Sequence, residues 1–148
     1  MKGYMGVVSI IYIVVVVLKL KDIQKSFARY IAEYKEIKTK LELVGQRKDP
    51  FFAIRFANLI FYTFLLFYFI ANLVFFESLV IQISTYLLII ITSYKFVKKM
   101  MINSIEDFEK KIKISKKKYK KQKILNTIFG FVEFAYAFNV ISLLSFYY

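Results

Sequence analysis

The sequence contains neither cysteine nor histidine. The absence of cysteine excludes disulfide bonds and thiolate nucleophiles, and the absence of both residues excludes metal sites built from Cys and His ligands. Catalytic pairs of serine or cysteine with histidine are excluded for the same reason. The chain also lacks a glycine-rich phosphate loop, a nucleophile elbow and paired carboxylates at a catalytic spacing. We therefore expect no enzymatic activity, no catalytic residues, no metal site and no cofactor.

Hydrophobic residues are what the chain has in excess. They make up 59% of its 148 residues, and the mean hydropathy is +0.53, whereas soluble proteins are about 45–50% apolar. Tryptophan is absent while Phe and Tyr are abundant, a bias typical of AT-rich genomes. The composition indicates an integral membrane protein from a low-GC bacterium, its phage or an organelle.

Four hydrophobic runs are candidates for crossing a bilayer. They cover about residues 4–20, 51–76, 78–97 and 124–148. The first is close to a signal-peptide core in length, but no cleavage site follows it and its lysines lie on the wrong flank, so we interpret it as a retained anchor. The sequence therefore predicts an all-α protein with a single membrane domain and four transmembrane helices.

The positive charge is concentrated in the two loops at residues 19–50 and 98–123. These loops hold every Lys and Arg of the chain except Lys2, Arg55 and Lys95. The positive-inside rule then places both loops inside and both termini outside, in the inner membrane of a bacterium or organelle. The basic positions expected at the membrane surface are Lys35, Lys38, Lys116, Lys117, Lys118, Lys120, Lys121 and Lys123.

Anionic lipid headgroups are the partner that this charge distribution favours. The net charge is +13, and the cations lie beside the hydrophobic runs, where anionic lipids would neutralise them. Nucleic acid is not expected, because the aromatic residues of the loops do not interleave with an exposed basic face.

Each basic loop also carries an apolar stripe at helical spacing. A helix from Leu20 to Val44 would be about 36 Å long, and residues 45–50 can span only about 20 Å on the way back. We therefore predict two amphipathic helices in the membrane plane, the second capped by Ser104 three residues before Asp107. A docking face for a partner protein is the alternative. The stripe positions are Leu20, Ile23, Phe27, Tyr30, Tyr34, Ile37, Leu41 and Val44 in the first loop, and Met101, Ile105, Phe108, Ile112 and Tyr119 in the second.

The two halves of the chain, residues 1–75 and 76–148, follow the same order of span, basic helix and span. A gapless shift of 78 residues brings Ile23 onto Met101 and aligns the two stripes. The same shift places Arg55 on Glu133. A parallel duplication explains this alignment, and chance matches within a composition rich in Phe, Ile, Leu and Lys are the alternative.

Arg55 and Glu133 are charged residues within the predicted spans. A charge at the centre of a transmembrane helix costs about 2.5–3.5 kcal/mol on insertion scales, so each needs a partner. We predict that they pair across a polar seam to which Asn58, Asn126 and Gln82 also contribute. The alternatives are pairing between subunits and a role for Glu133 as a proton- or cation-coupling carboxylate.

These features favour a non-catalytic subunit or accessory factor of a larger inner-membrane complex, with other membrane subunits as partners. The chain lacks catalytic chemistry, and its spans are apolar on nearly every face, as suits helices packed against other proteins or lipid. One alternative is a small oligomeric transporter or channel that uses an Arg55–Glu133 seam. Another is an immunity protein that protects its cell from a membrane-active peptide.

Overall fold

A computed structural model describes residues 2–45 and 49–146 of the chain. Within these ranges the regular elements are six helices, which confirms the all-α prediction. They are α1 (Lys2–Ile23), α2 (Phe27–Gly45), α3 (Pro50–Phe75), α4 (Leu79–Met100), α5 (Ile105–Ile112) and α6 (Lys116–Phe146).

Four of these helices, α1, α3, α4 and α6, are long and apolar enough to cross a membrane. The fourth begins earlier than the apolar run alone suggests, because Ser115 starts the helix. Its hydroxyl accepts from the Lys118 N–H at 3.3 Å and its carbonyl from the Tyr119 N–H at 2.9 Å. The lysines from Lys116 to Lys123 therefore occupy the first turns of α6. We call this side of the molecule, where α2 and α5 also lie, the basic end.

The long helices pack as two antiparallel pairs, α1 with α6 and α3 with α4. The pairs join where α1 meets α3 and α4 meets α6. Small residues on α6 allow the close approach. Gly130 and Ala137 are both buried, and a methyl group added at Gly130 would overlap the Leu20 side chain. The core consists of Met5, Val8, Tyr12, Val16, Leu65, Tyr68, Phe69, Phe76, Ile81, Leu88, Tyr136, Ala137, Val140 and Leu144.

The predicted continuous helix from Leu20 to Val44 is interrupted between α1 and α2. Side chains of α6 hold this break, because the Tyr119 hydroxyl donates to the Lys25 carbonyl at 2.7 Å and the Lys123 ammonium donates to the same carbonyl at 3.2 Å. The chain becomes helical again after Ser26, where α2 begins. The interruption falls within an unbroken apolar spacing, so periodicity could not reveal it.

The apolar stripes of the two loops face each other. Leu41 of α2 and Phe108 of α5 are buried together with Phe51 at the start of α3, and Tyr34 packs against Phe108 with ring centroids 6.1 Å apart. Much of the stripe that we expected to face lipid therefore contacts the other loop, while Ile37 remains exposed. Part of the second stripe also belongs to α6, since that helix contains Tyr119.

α5 begins where the sequence predicts. Ser104 precedes its first turn in an extended conformation, and the Asp107 carboxylate accepts from the backbone N–H groups of Asn103 at 3.1 Å and Ser104 at 3.3 Å. These bonds satisfy donors that a helix start leaves free. The predicted cap at Ser104 is confirmed.

Candidate functional site

Glu133 is the only acidic residue that is buried within the described ranges. It lies on α6 between lysines from two neighbouring helices. The Lys19 Nζ of α1 is 2.5 Å from its Oε2, and the Lys95 Nζ of α4 is 3.5 Å from its Oε1. We call these three residues the charged cluster. It ties three helices together around one carboxylate.

The charged cluster carries two positive charges for one negative charge. The Lys95 side chain is 26% exposed, but its ammonium nitrogen is buried and makes no hydrogen bond with the residues described. This nitrogen also lies 5.3 Å from the centre of the Phe129 ring, a cation–π distance. The Lys19 side chain is 36% exposed. Both stems lie partly on the outside of the bundle and bring their charges inward to Glu133.

A second polar group occupies the bundle and carries no charge. The Ser9 and Tyr68 hydroxyls are 2.5 Å apart, Asn72 Nδ2 donates to the Tyr136 hydroxyl at 3.0 Å, and the Thr85 and Tyr136 hydroxyls are 2.7 Å apart. We call these five residues the neutral network. They come from all four long helices, so each helix contributes at least one polar contact to the centre.

Tyr12 lies between the neutral network and the charged cluster. Its ring packs edge-on against those of Tyr68 at 5.7 Å and Phe69 at 5.9 Å, and only 4% of the residue is exposed. Tyr136 follows Glu133 by about one turn of α6. Among the residues that the structure describes, no hydrogen bond connects the two polar groups, so aromatic packing separates them.

Arg55 does not pair with Glu133, so the predicted ion pair is wrong. The Arg55 Nη2 lies 3.0 Å from Asp49 Oδ2, and its Nη1 donates to the Asn103 side chain at 2.8 Å. Asp49 also caps α3 by accepting from the Phe51 N–H at 3.0 Å. Arg55 thus joins the start of α3 to the α4–α5 connection. The lysines reach Glu133 instead because α1 and α4 both pack on α6.

The other polar candidates within the spans do not form a seam with Arg55 and Glu133. Gln82 lies at the α3–α4 turn, where its Nε2 donates to the Phe76 carbonyl at 3.3 Å. Asn58 is half-buried on α3, and Asn126 is exposed. Asn126 is seven residues before Glu133 and shares its helical face, but it is not part of the charged cluster.

Sequence reasoning missed Lys19 and Lys95 as site residues, because it treated them only as markers of orientation. It also missed the neutral network. The signal that could have identified the residues of the neutral network was that each carries a polar side-chain atom within an apolar span. A buried tyrosine hydroxyl needs a hydrogen-bond partner, as do a buried serine and a buried asparagine.

Of the basic surface positions, Lys38 makes the best-defined contact. Its ammonium donates to the Glu109 carboxylate of α5 at 2.7 Å, and this bond raises the pKa of Lys38 and lowers the pKa of Glu109. Lys35 and Lys38 also line a groove of about 410 Å³ between α2 and α5. Six further lysines are on the first turns of α6: Lys116, Lys117, Lys118, Lys120, Lys121 and Lys123.

Nearby, the Lys111 ammonium of α5 lies 5.3 Å from the Tyr34 ring centre and 5.7 Å from that of Phe108. Burial, and then repulsion from Lys99 and Lys98, lowers the pKa of Lys111. The contact between α2 and α5 thus combines an apolar core, a cation–π contact and an ion pair.

No protein-family model matches the chain, and neither the curated proteins nor the solved structures give a significant match.

Proposed function

We propose that this protein is a non-catalytic subunit or accessory factor of a larger membrane-protein complex. The observation that carries this proposal is that most polar side chains within the spans bind one another, while Asn72 Oδ1 and Lys95 Nζ have no hydrogen bond with the described residues. Glu133 is held by two lysines, and the hydroxyls of Tyr68 and Tyr136 bind Ser9 and Thr85. Such contacts support a scaffold that holds its own helices in place, which is what an accessory subunit has to do.

The outer surface of the bundle is compatible with the same proposal. Large apolar side chains are exposed on each long helix, for example Leu18 at 61%, Phe67 at 64%, Ile90 at 66% and Phe131 at 62%. Lipid or a second protein would cover this surface equally well in energetic terms, since lipid tails are as apolar as these side chains.

Purification of the tagged protein from its own membranes in a mild detergent tests the proposal. We expect one or more membrane proteins to co-purify in a fixed ratio, measured by quantitative mass spectrometry. An unrelated four-span protein with the same tag, purified in parallel, controls for contaminants. Recovery of the chain alone, under conditions that preserve known complexes of the same membrane, would contradict the proposal.

A second candidate function is anion or proton-coupled transport by an oligomer, and one observation favours it. The Lys95 ammonium is buried beside Glu133 without a hydrogen bond, so the charged cluster has a surplus positive charge. A transported anion could neutralise that charge. Flux into liposomes that is lost in Lys95→Gln but kept in Lys98→Gln, at an exposed position nearby, would favour transport over the accessory role.

For orientation we propose the inner membrane, with the basic end inside and both termini outside. The lysines on α2 and α6 support this arrangement through the positive-inside rule. The absence of native cysteine permits labelling at single introduced cysteines. Those at Lys2 and Glu77 should react with an impermeant thiol reagent from outside, and those at Lys38 and Lys117 should not. Labelling at Lys117 in intact cells would overturn the orientation.

We also propose that α2 and α5 lie against the inner membrane surface, as a layer beneath the bundle. The residual exposed apolar positions support this placement, since Ile37 and Val44 are 40% and 52% exposed beside a set of lysines. A spin label at Val44 should then sense lipid, and one at Lys35, an exposed position on the opposite face of α2, should sense water. Equal exposure of both labels to water would exclude the in-plane placement.

Parallel duplication is the last proposal about architecture. The positions at which helices begin support it. Under the 78-residue shift, the first residues of α1 and α2 fall within one residue of the first residues of α4 and α5, and Ser26 falls on Ser104. Packing supports it too. If α1 corresponds to α4 and α3 corresponds to α6, then the packed pair of α1 with α6 is equivalent to the packed pair of α4 with α3. If the halves are related, homologues should align to themselves at this offset better than shuffled sequences of equal composition.

A further inference from the structure

A small basic pocket lies where the break between α1 and α2 meets the first turns of α6. It has a volume of about 180 Å³. We call it the elbow pocket. Its lining residues are Lys25, Ser26, Phe27, Lys116, Tyr119, Lys120 and Lys123.

Two of the four lysines in the elbow pocket are engaged by the protein. The Lys25 ammonium is paired with the carboxylates of Asp22 and, at 2.5 Å, Glu33. The Lys123 ammonium donates to the Gln24 and Lys25 carbonyls at 3.1 and 3.2 Å. These contacts hold the walls of the pocket in place. The positive charge of Lys25 is neutralised by carboxylates of the protein itself.

The other two lysines are free to bind a ligand. Lys116 and Lys120 are exposed and form no ion pair with any residue in the described ranges. They are four residues apart on α6, so they lie on the same side of the helix. α2 and α6 both begin beside the pocket, and their helix dipoles add to its positive potential. The pocket is therefore complementary to a small anion.

An exposed apolar surface begins next to these lysines. Ile124 and Ile128 continue the spacing of four from Lys116 and Lys120, and they are 54% and 55% exposed. The rise from Lys116 to Ile124 is about 12 Å. A ligand held by the lysines could thus extend along the helix onto the apolar part of α6.

We propose that the elbow pocket binds the phosphate of an anionic phospholipid, with Lys116 and Lys120 as its ligands. The acyl chains of this lipid lie along Ile124 and Ile128. The combination of cations and adjoining apolar surface selects a lipid over a soluble phosphate, which would gain nothing from the apolar residues. The inference does not depend on the proposed accessory role.

Native mass spectrometry of the full-length protein in detergent, titrated with phosphatidylglycerol or phosphatidylcholine, tests this site. The double variant Lys116→Gln/Lys120→Gln should bind the first phosphatidylglycerol about tenfold more weakly than the native protein. The matched control is Lys117→Gln/Lys121→Gln, which removes the same charge at the same spacing from exposed positions outside the pocket. We expect it to bind almost as the native protein does.

Three outcomes would overturn the proposal. Equal weakening in both double variants would mean a diffuse electrostatic attraction without a site. Equal binding of phosphatidylcholine and phosphatidylglycerol would mean that the charge is not recognised. Displacement of the lipid by inorganic phosphate at matching concentrations would assign the pocket to a soluble anion. Circular dichroism of each variant, which should match that of the native protein, excludes loss of helix as the cause.

Discussion

The neutral network and the charged cluster solve the same physical problem in different ways. Both place polar atoms inside an apolar bundle, where unpaired groups are costly. The neutral network is completely enclosed, with Ser9, Asn72 and Thr85 all at 0% exposure. In the charged cluster the lysine stems are partly exposed, and Lys19 and Lys95 lie toward the ends of their helices.

The difference indicates where a bundle can accept charge. Neutral hydroxyl and amide groups need only each other, so they can lie far from water. A lysine needs a counterion and gains from a flexible stem that approaches the membrane surface. We therefore expect stability to depend most strongly on Glu133, on which both cations rely, and less on any one member of the neutral network.

The largest effect should follow from Glu133→Gln. This change leaves two lysine charges without a counterion, and breaking a buried ion pair costs about 3–5 kcal/mol. Unfolding in mixed detergent, followed by circular dichroism, measures the loss. Glu77→Gln is the control, because Glu77 is exposed at the α3–α4 turn and should change little. Similar small losses in both variants would show that Glu133 does not hold the helices together.

The two lysines should substitute for each other. Lys19→Met leaves Lys95 beside Glu133, and Lys95→Met leaves a balanced pair, so each single change should be tolerated. The double variant leaves the Glu133 carboxylate without a counterion. It should lose more stability than the sum of the two single variants, with a coupling free energy of about 0.5–3 kcal/mol. Additive losses in this double-mutant cycle would mean that the two lysines do not substitute for each other.

A smaller loss is expected from the neutral network. Tyr136→Phe removes a hydroxyl that contacts both Asn72 and Thr85, and an unsatisfied buried partner costs about 1–3 kcal/mol. Tyr86→Phe is the control, since Tyr86 is 59% exposed on the neighbouring helix. The same detergent unfolding assay compares the two. If Tyr136→Phe loses as much stability as Glu133→Gln, the charged cluster is not the more important of the two polar groups.

The sequence predicts elements of this fold better than contacts between them. Four helices follow from long, mostly apolar runs, and the start of α5 follows from the local chemistry of Ser104. The Arg55–Glu133 pair failed because helical periodicity assigns a residue to a face but does not say which helices are neighbours. Asp49 was the nearer partner for Arg55, and it is only six residues away.

The break between α1 and α2 could not be predicted for a related reason. Tyr119 and Lys123 bind the carbonyls of Gln24 and Lys25 from a helix that lies far away in sequence. Local propensity and apolar spacing carry no information about such bonds. Partners of this kind become visible only once the packing of α1 on α6 is known.

The smallest effect should come from the ion pair between the loops, where Lys38 and Glu109 are both partly exposed to solvent. Glu109 has a pKa that the hydrogen bond with Lys38 lowers, so its contribution is present above its ordinary pKa of about 4.3. That contribution is lost as the pH falls through the lowered pKa of the folded protein. Lys38→Gln at neutral pH should imitate the acid effect and speed amide hydrogen exchange in α5. Lys40→Gln should not, because the Lys40 ammonium binds Glu36 within α2 at 2.6 Å. If both variants leave exchange in α5 unchanged, the apolar contact of Leu41 with Phe108 holds the loops together by itself.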